Sequence, residues 1–347
     1  MSLKNLIIKS TCILLLLMLS FYTIVIASEY TYIWSDTYAL EKTLQTNANE
    51  SESVQNSNSL NLESGSAILI EQNSGQILYE HNCHEHLRPA SVTKVMSILL
   101  IMEAIDSGKI SLEDKVPCSS NASSMGGSQI WLNETEELTV NEMLKAICVV
   151  SANDCTVAMA EYLAGSQEAF VEKMNTRAKE LGMNDTCFKN CHGIDEDGHV
   201  TSSFDIALMS RELLTKHPSI TNYTTIWMDS LRDGKSELVN TNKLIRNYQG
   251  ATGLKTGSTS LALYNLSASA TRNGLSLIAV IMKAPTTKQR FSEAQKLLDY
   301  GFNNYSYKEL AKKDDLIKKV NVTKGIQTEL DAIFKDDFRY LIKKRWR

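Results

Sequence analysis

Apolar residues arranged as two strands around a turn occur twice in this chain, once near each end of the region that reads as folded. Residues 66–82 (SAILIEQNSGQILYEHN) turn at Asn73-Ser74-Gly75. Residues 263–283 (LYNLSASATRNGLSLIAVIMK) break at Asn273-Gly274, a pair suited to the left-handed backbone of a tight hairpin. Between the two hairpins the period becomes helical. Val95, Met96, Leu99, Leu100 and Met102 recur from a start near Ala90-Ser91. Thr139-Val140-Asn141-Glu142 is a capping box opening a helix toward Val150, further helical stretches cover 155–181 and 204–215, and 287–303 reads as a closing helix. Strands first and last with helices between them predict an α/β (α+β) three-layer sandwich. It consists of an antiparallel sheet flanked by helices, with an all-helical subdomain.

Length and composition bound the rest. The 347 residues suffice for one large domain or two ordinary ones, and 43% apolar residues can fill a core, which excludes a disordered chain. A formal charge of −4, from 36 Lys and Arg against 40 Asp and Glu, supplies no basic field, so no nucleic-acid partner is expected. Lys4 and Lys9 precede an apolar run from Cys12 to Ala27 that exits through a small residue, the pattern of a secretory signal over 1–27 cleaved after Ala27. The same run read as an uncleaved anchor would still export the bulk of the chain. Residues 28–63 form a polar linker, rich in Asn and Ser from 43 onward.

Export makes the cysteines informative. Cys12 leaves with the signal, and Cys83, Cys118, Cys148, Cys155, Cys187 and Cys191 remain. An even number outside the cell allows disulfides, but a domain this large does not need them, and the six stay unassigned thiols. His81, Cys83, His84 and His86 crowd into HNCHEH without a second ligand pair at zinc spacing, so the segment reads as a polar loop and no metal is expected. From 306 to 347 the chain reads as the shortened start of a second, β-rich unit. It ends in a basic run (Lys335, Arg339, Lys343, Lys344, Arg345, Arg347) that reads more readily as a solvated tail than as a peripheral membrane contact.

Three short motifs follow one another in order. Ser91-Val92-Thr93-Lys94 is S-x-x-K at a helix start, Ser151-Ala152-Asn153 is S-x-N after a helix, and Lys255-Thr256-Gly257 is K-T-G before a strand. On a helix, positions i and i+3 share a face, which places Lys94 beside Ser91. Burial lowers a lysine's pKa far enough for it to take a serine proton. The Ser91 N–H, with a partner N–H at Ser258, suits a developing oxyanion. Ser151 can relay a proton to a leaving amine and Asn153 can hold a substrate amide. Lys255 and Thr256 suit a terminal carboxylate. The combination reads as serine acyl transfer on a peptide with a free C-terminus.

The chain resembles the serine-type D-alanyl-D-alanine carboxypeptidases, the low-molecular-mass penicillin-binding proteins, and within them the sporulation-associated group of Gram-positive bacteria. The likeness extends to RPASVTKVM (88–96), MGGSQIWL (125–132), VVSANDC (149–155), FKNCHGIDEDGH (188–199), NTNKLIRNYQGATGLKTGST (240–259) and LSASATRNGLSLIAVIM (266–282), over a catalytic domain of 64–305. It implies removal of the terminal D-Ala from peptidoglycan stem pentapeptides through a Ser91 acyl-enzyme, at the outer face of the cytoplasmic membrane and in the cell wall. It also implies acylation by β-lactams, no cofactor, and a monomer. Ser258 stands where many members have His. Two alternatives share the fold: a serine β-lactamase, for which Glu180-x-x-x-Asn184 is a candidate water-positioning match, and a catalytically impaired cell-wall-binding protein. Gly182 makes the Glu180 match read as a helix end, and His192 and His199 read as structural.

Overall fold

A computed structural model describes residues 60–323 and 328–344. The expected signal and the linker up to residue 59 lie outside them. The linker's last residues are already seated. Leu60 and Leu62 pack on the core, the Glu63 N–H donates to Glu293 Oε1, and Ser64 bonds the same buried carboxylate.

The two hairpins of the sequence supply four strands of a five-stranded sheet, and the fifth is Ala251–Thr259, which contains the K-T-G motif expected only before a strand. Strands β1 (Ser66–Glu71), β2 (Ile77–His81), β3 (Ala251–Thr259), β4 (Leu263–Arg272) and β5 (Leu275–Ala284) lie in the order β2-β1-β5-β4-β3. Every neighbouring pair is antiparallel. The first strand therefore pairs with the last, Ala67 opposite Ile281 and Leu69 opposite Ala279. Because side chains alternate along a strand, β1 and β5 each feed two cores. Ala67, Leu69, Leu277, Ala279 and Ile281 face the closing helix Thr287–Asn304 through Ala294, Leu297, Leu298 and Phe302. Ile68, Ile70, Ile278, Val280 and Met282 join the larger helical core on the opposite face.

Six long helices complete the layers: α1 (Lys94–Asp106), α2 (Val140–Val149), α3 (Asn153–Ala164), α4 (Gln167–Glu180), α5 (Ser203–Lys216) and α6 (Thr287–Asn304). Helix α5 docks on the sheet through small hydroxyl pairs, Ser203 with Ser66 at 2.7 Å and Ser210 with Ser267 at 2.8 Å, which satisfy buried polar atoms at close approach. The capping box at Thr139 and Glu142 forms as the spacing predicts. The single helical stretch expected over 155–181 is two helices. Gly165, at φ +85°, ends α3, and Ser166 caps α4 by accepting from the Ala169 N–H. The apolar period continues across the break, so periodicity did not reveal it.

The segment from residue 305 forms two ribbons, β6 (Tyr305–Ala311) with β9 (Phe338–Lys343) and β7 (Leu316–Asn321) with β8 (Glu329–Ile333). Tyr305, Tyr307 and Leu341 tie the first ribbon to the sheet's α6 side. The basic run is not a solvated tail throughout. Arg339 and Lys343 lie on β9, and the Lys344 ammonium donates to the Phe302 carbonyl at 2.7 Å. Among the described residues no helix is long and apolar enough to cross a membrane.

Candidate active site

Ser91 lies in a single turn of 3-10 helix, Ala90–Thr93, that runs directly into α1. Positions i and i+3 eclipse in such a turn, so the motif spacing brings Lys94 onto Ser91 although the α-helix itself begins only at Lys94. The Lys94 Nζ is 3.0 Å from Ser91 Oγ and 2.6 Å from both Asn153 Oδ1 and the His192 carbonyl oxygen. Lys94 is fully buried. Burial first, with the nearby Lys255 charge adding to it, holds its ammonium well below the ordinary lysine value. A neutral amine donates two hydrogen bonds and keeps one lone pair. The Asn153 and His192 oxygens take the two, and the lone pair is left for the Ser91 hydroxyl proton, the arrangement a general base requires.

Asn153 opens α3 and ties the second motif to the loop before it. Its Nδ2 donates to the Gly126 carbonyl and its backbone N–H to the Ser128 carbonyl, both at 2.7 Å. With Oδ1 on Lys94, one side-chain N–H remains for a ligand. The next residue, Asp154, is fully buried and accepts the Ile130 and Leu132 N–H groups, each at 3.1 Å. The MGGSQIWL segment is thus suspended from two adjacent side chains. Ser151 sits at φ +66° with a buried Oγ that has no partner among the described residues. It bonds neither Ser91 nor Lys94.

The third motif comes from β3, on the sheet edge. Lys255 is buried beneath it and donates to the Thr256 carbonyl at 3.0 Å. Burial lowers its pKa to about 7, with Cys148 opposing and Arg290 adding to the fall. The Thr256 hydroxyl donates to Thr241 Oγ1 at 2.7 Å. Gly257 passes so close to the 3-10 turn that a Cβ there would meet the Ser91 and Val92 nitrogens at 2.8 Å and the Pro89 oxygen at 2.9 Å. The first and third motifs are therefore in backbone contact, which only glycine permits, and Ser258 beyond them is exposed.

Several residues that sequence reasoning did not select complete the site. Arg290 on α6 donates from Nη1 to the Gly257 and Asn265 carbonyls, each at 3.1 Å. Asn265 in turn donates to the Arg88 carbonyl at 2.8 Å and accepts the Lys283 N–H. His199 bonds Thr93 Oγ1 at 2.8 Å. Burial pushes the His192 and His199 pKa values down to about 3 and about 4, so both rings are neutral. No short motif announces a lone Arg or Asn, and only proximity in the fold identifies them. Glu180, by contrast, ends α4 on an ion pair with Arg177 at 3.3 Å, and Gly182 is left-handed at φ +74°. His84 and His86 hydrogen-bond Asp185 at 2.7 and 3.3 Å, and no group of three metal-ligating side chains occurs among the described residues. The six cysteines are free thiols, five of them buried.

A family profile described as D-alanyl-D-alanine carboxypeptidase matches residues 50–286. The chain belongs to the D-alanyl-D-alanine carboxypeptidase family. It is 49% identical over 285 residues to the D-alanyl-D-alanine carboxypeptidase DacF of Bacillus subtilis, covering 81% of this chain and 73% of that protein. It is 36% identical over 249 residues to DacA of Escherichia coli, covering 70% of this chain and 61% of that one. Its fold is similar to penicillin-binding protein 5 of Haemophilus influenzae, with TM-score 0.73, 31% identity, and coverage of 82% of this chain and 83% of that one. Ampicillin-bound penicillin-binding protein D2 of Listeria monocytogenes matches at TM-score 0.65 and 30% identity over 70% of this chain and 99% of that one. The carboxypeptidase fold is thus the expected antiparallel sheet between helical layers.

Proposed function

We propose that this carboxypeptidase-family protein removes the C-terminal D-Ala from peptidoglycan stem peptides through an acyl-enzyme on Ser91, and that β-lactams acylate the same oxygen. The observation that carries the reading is the buried Lys94 amine 3.0 Å from Ser91 Oγ, with its other two directions filled by oxygens. In this mechanism Lys94 takes the hydroxyl proton as Oγ attacks the carbonyl of the penultimate D-Ala. The Ser91 and Ser258 N–H groups receive the oxyanion. Ser151 passes a proton to the departing amine, the C–N bond breaks, and D-Ala leaves. Asn153 holds the substrate amide, and Lys255 with Thr256 receives the terminal carboxylate. Water then attacks the ester, Ser91 recovers its proton, and the shortened peptide is released.

Membership of the D-alanyl-D-alanine carboxypeptidase family supports a role at the cell wall, and the chain is proposed to work outside the cytoplasm, at the outer face of the membrane. A serine β-lactamase would need a carboxylate to position the deacylating water. Glu180, the residue with the matching spacing, is engaged by Arg177 at a helix end, which favours the carboxypeptidase. The test is intact-mass spectrometry of the protein with penicillin over time, beside D-Ala release from a diacyl-D-Ala-D-Ala peptide. A persistent adduct on Ser91 together with D-Ala release is expected. An adduct that vanishes as the antibiotic is hydrolysed would make it a β-lactamase, an adduct without release an impaired binder, and no adduct would overturn the reading.

A further inference from the structure

Each of the two expected oxyanion donors belongs to a peptide unit whose other end is a carbonyl. The Ser91 N–H shares its peptide with the Ala90 carbonyl, and the Ser258 N–H shares its peptide with the Gly257 carbonyl. In both units the carbonyl is held from inside the protein by a buried side chain. The Thr93 hydroxyl donates to the Ala90 oxygen at 2.8 Å. Behind it, His199 Nδ1 accepts the Lys189 N–H at 2.9 Å, so the proton of the neutral ring is on Nε2, which donates to Thr93 Oγ1 at 2.8 Å. The relay runs in one direction, from His199 through Thr93 to Ala90. On the other side Arg290 Nη1 donates to the Gly257 oxygen at 3.1 Å.

Ala90 is held at φ +48°, an uncommon conformation for a residue with a Cβ, and Gly193 leaves room for its carbonyl, since a Cβ at 193 would lie 1.9 Å from the Ala90 oxygen. Arg290 is 5% exposed, lies against the rings of Phe291 and Tyr264, and has no carboxylate partner among the described residues. A buried cation without a counter-charge is costly, by several kcal/mol as a rule. A charge at the carbonyl end of an amide draws electron density from its N–H and strengthens that N–H as a donor, because linked hydrogen bonds polarise one another.

We propose that Arg290 and the Thr93–His199 pair are positioning residues, each fixing and polarising from its carbonyl side one of the two peptides whose N–H groups meet the developing oxyanion. The inference rests on Ser91 being the acylated nucleophile. It is tested with Thr93→Val and Arg290→Met, and with Thr93→Ser and Arg290→Lys as the conservative partners that keep a hydroxyl or a cation in place. Stopped-flow acylation by a β-lactam separates the dissociation constant of the first complex from the acylation rate. The non-conservative variants are expected to acylate roughly tenfold to a hundredfold more slowly, less than the ~10²–10³ lost with a whole donor, with the dissociation constant within about twofold. The infrared ester carbonyl band of the acyl-enzyme should move to higher frequency in both, a readout that loss of stability alone does not shift. If Thr93→Val or Arg290→Met fails to fold, the Ser and Lys variants carry the test through smaller shifts in the same direction. Unchanged rates and an unmoved carbonyl band in folded variants would overturn the proposal while leaving the acyl-enzyme intact. A wild-type protein that forms no adduct would overturn both.

Discussion

Gly257→Ala isolates the contact between the first and third motifs. The added methyl would lie 2.8 Å from the Ser91 and Val92 nitrogens and 2.9 Å from the Pro89 oxygen. All three are backbone atoms, so no side chain can swing away, and an ordinary carbon contact needs about 3.5 Å or more. Strand β3 or the turn bearing Ser91 must therefore retreat by about half an ångström or more. Arg290 restrains the strand at the Gly257 carbonyl and Asn265 restrains the chain before the turn at Arg88, so the displacement falls on the reacting geometry. A misplacement of about 1 Å costs on the order of a hundredfold in rate, and overpacking costs about 1–3 kcal/mol in stability. The expected variant folds with a lowered midpoint in urea and acylates with a β-lactam ten- to a hundredfold more slowly. Wild-type acylation in a folded Gly257→Ala protein would refute the claim that this backbone contact sets the site.

Three further outcomes follow from the same structure. His199 has a folded pKa of about 4 against an ordinary 6.5, so between those values the unfolded chain binds the extra proton. Stability is therefore lost as pH falls from 6.5 toward 4, by on the order of 3 kcal/mol from this group, and His199→Gln should flatten that part of a urea-midpoint profile. Lys255, with a pKa of about 7, loses its charge as pH rises above neutrality. KM for a peptide ending in a carboxylate should then climb between pH 7 and 9 while that of its C-terminal amide stays level, and parallel profiles would remove Lys255 from carboxylate recognition. Asp154→Ala leaves the Ile130 and Leu132 N–H groups without their acceptor, at roughly 1–3 kcal/mol for each that stays dry. Equilibrium unfolding checks this, and a change below about 0.5 kcal/mol would mean that the loop is not held through Asp154.

Legibility of the fold in the sequence depended on how local each constraint is. The hairpins β1-β2 and β4-β5 were readable because Asn73-Ser74-Gly75 and Asn273-Gly274 specify turns within a few residues, and one long-range pairing, β1 with β5, joins them, whereas β3 was not read as a strand because K-T-G was expected ahead of one. The boundary between α3 and α4 was missed because Gly165 interrupts a period that the core keeps on both sides. Ser91 and Lys94 were placed together on the right spacing but the wrong helix type, since i and i+3 coincide in both an α-helix and a 3-10 turn. Arg290, Asn265 and Thr241 had no local signature. They act on residues 15 to 177 positions away, and a single sequence does not record which distant carbonyl a side chain will meet.

The proposed role of Lys94 as base shows the same division at the level of chemistry. Three residues of spacing bring the amine to Ser91, but spacing alone leaves a protonated lysine that cannot accept a proton. Deprotonation is favoured by full burial and by a second ammonium, Lys255, brought from far along the chain by the pairing of β3 with β4. Both lysines are lowered chiefly by burial, Lys255 to about 7 and Lys94 well below the ordinary lysine value. In the proposed mechanism the two roles separate on their surroundings: Lys94, within hydrogen-bond distance of Ser91, is the base, and Lys255 is left for an anionic group. Moving Lys255 out of the site by Lys255→Met should therefore raise the Lys94 pKa. The acidic limb of the acylation pH profile would shift upward even for a β-lactam ester with no carboxylate to recognise. An unmoved limb would mean that burial alone sets the base and that the two lysines titrate independently.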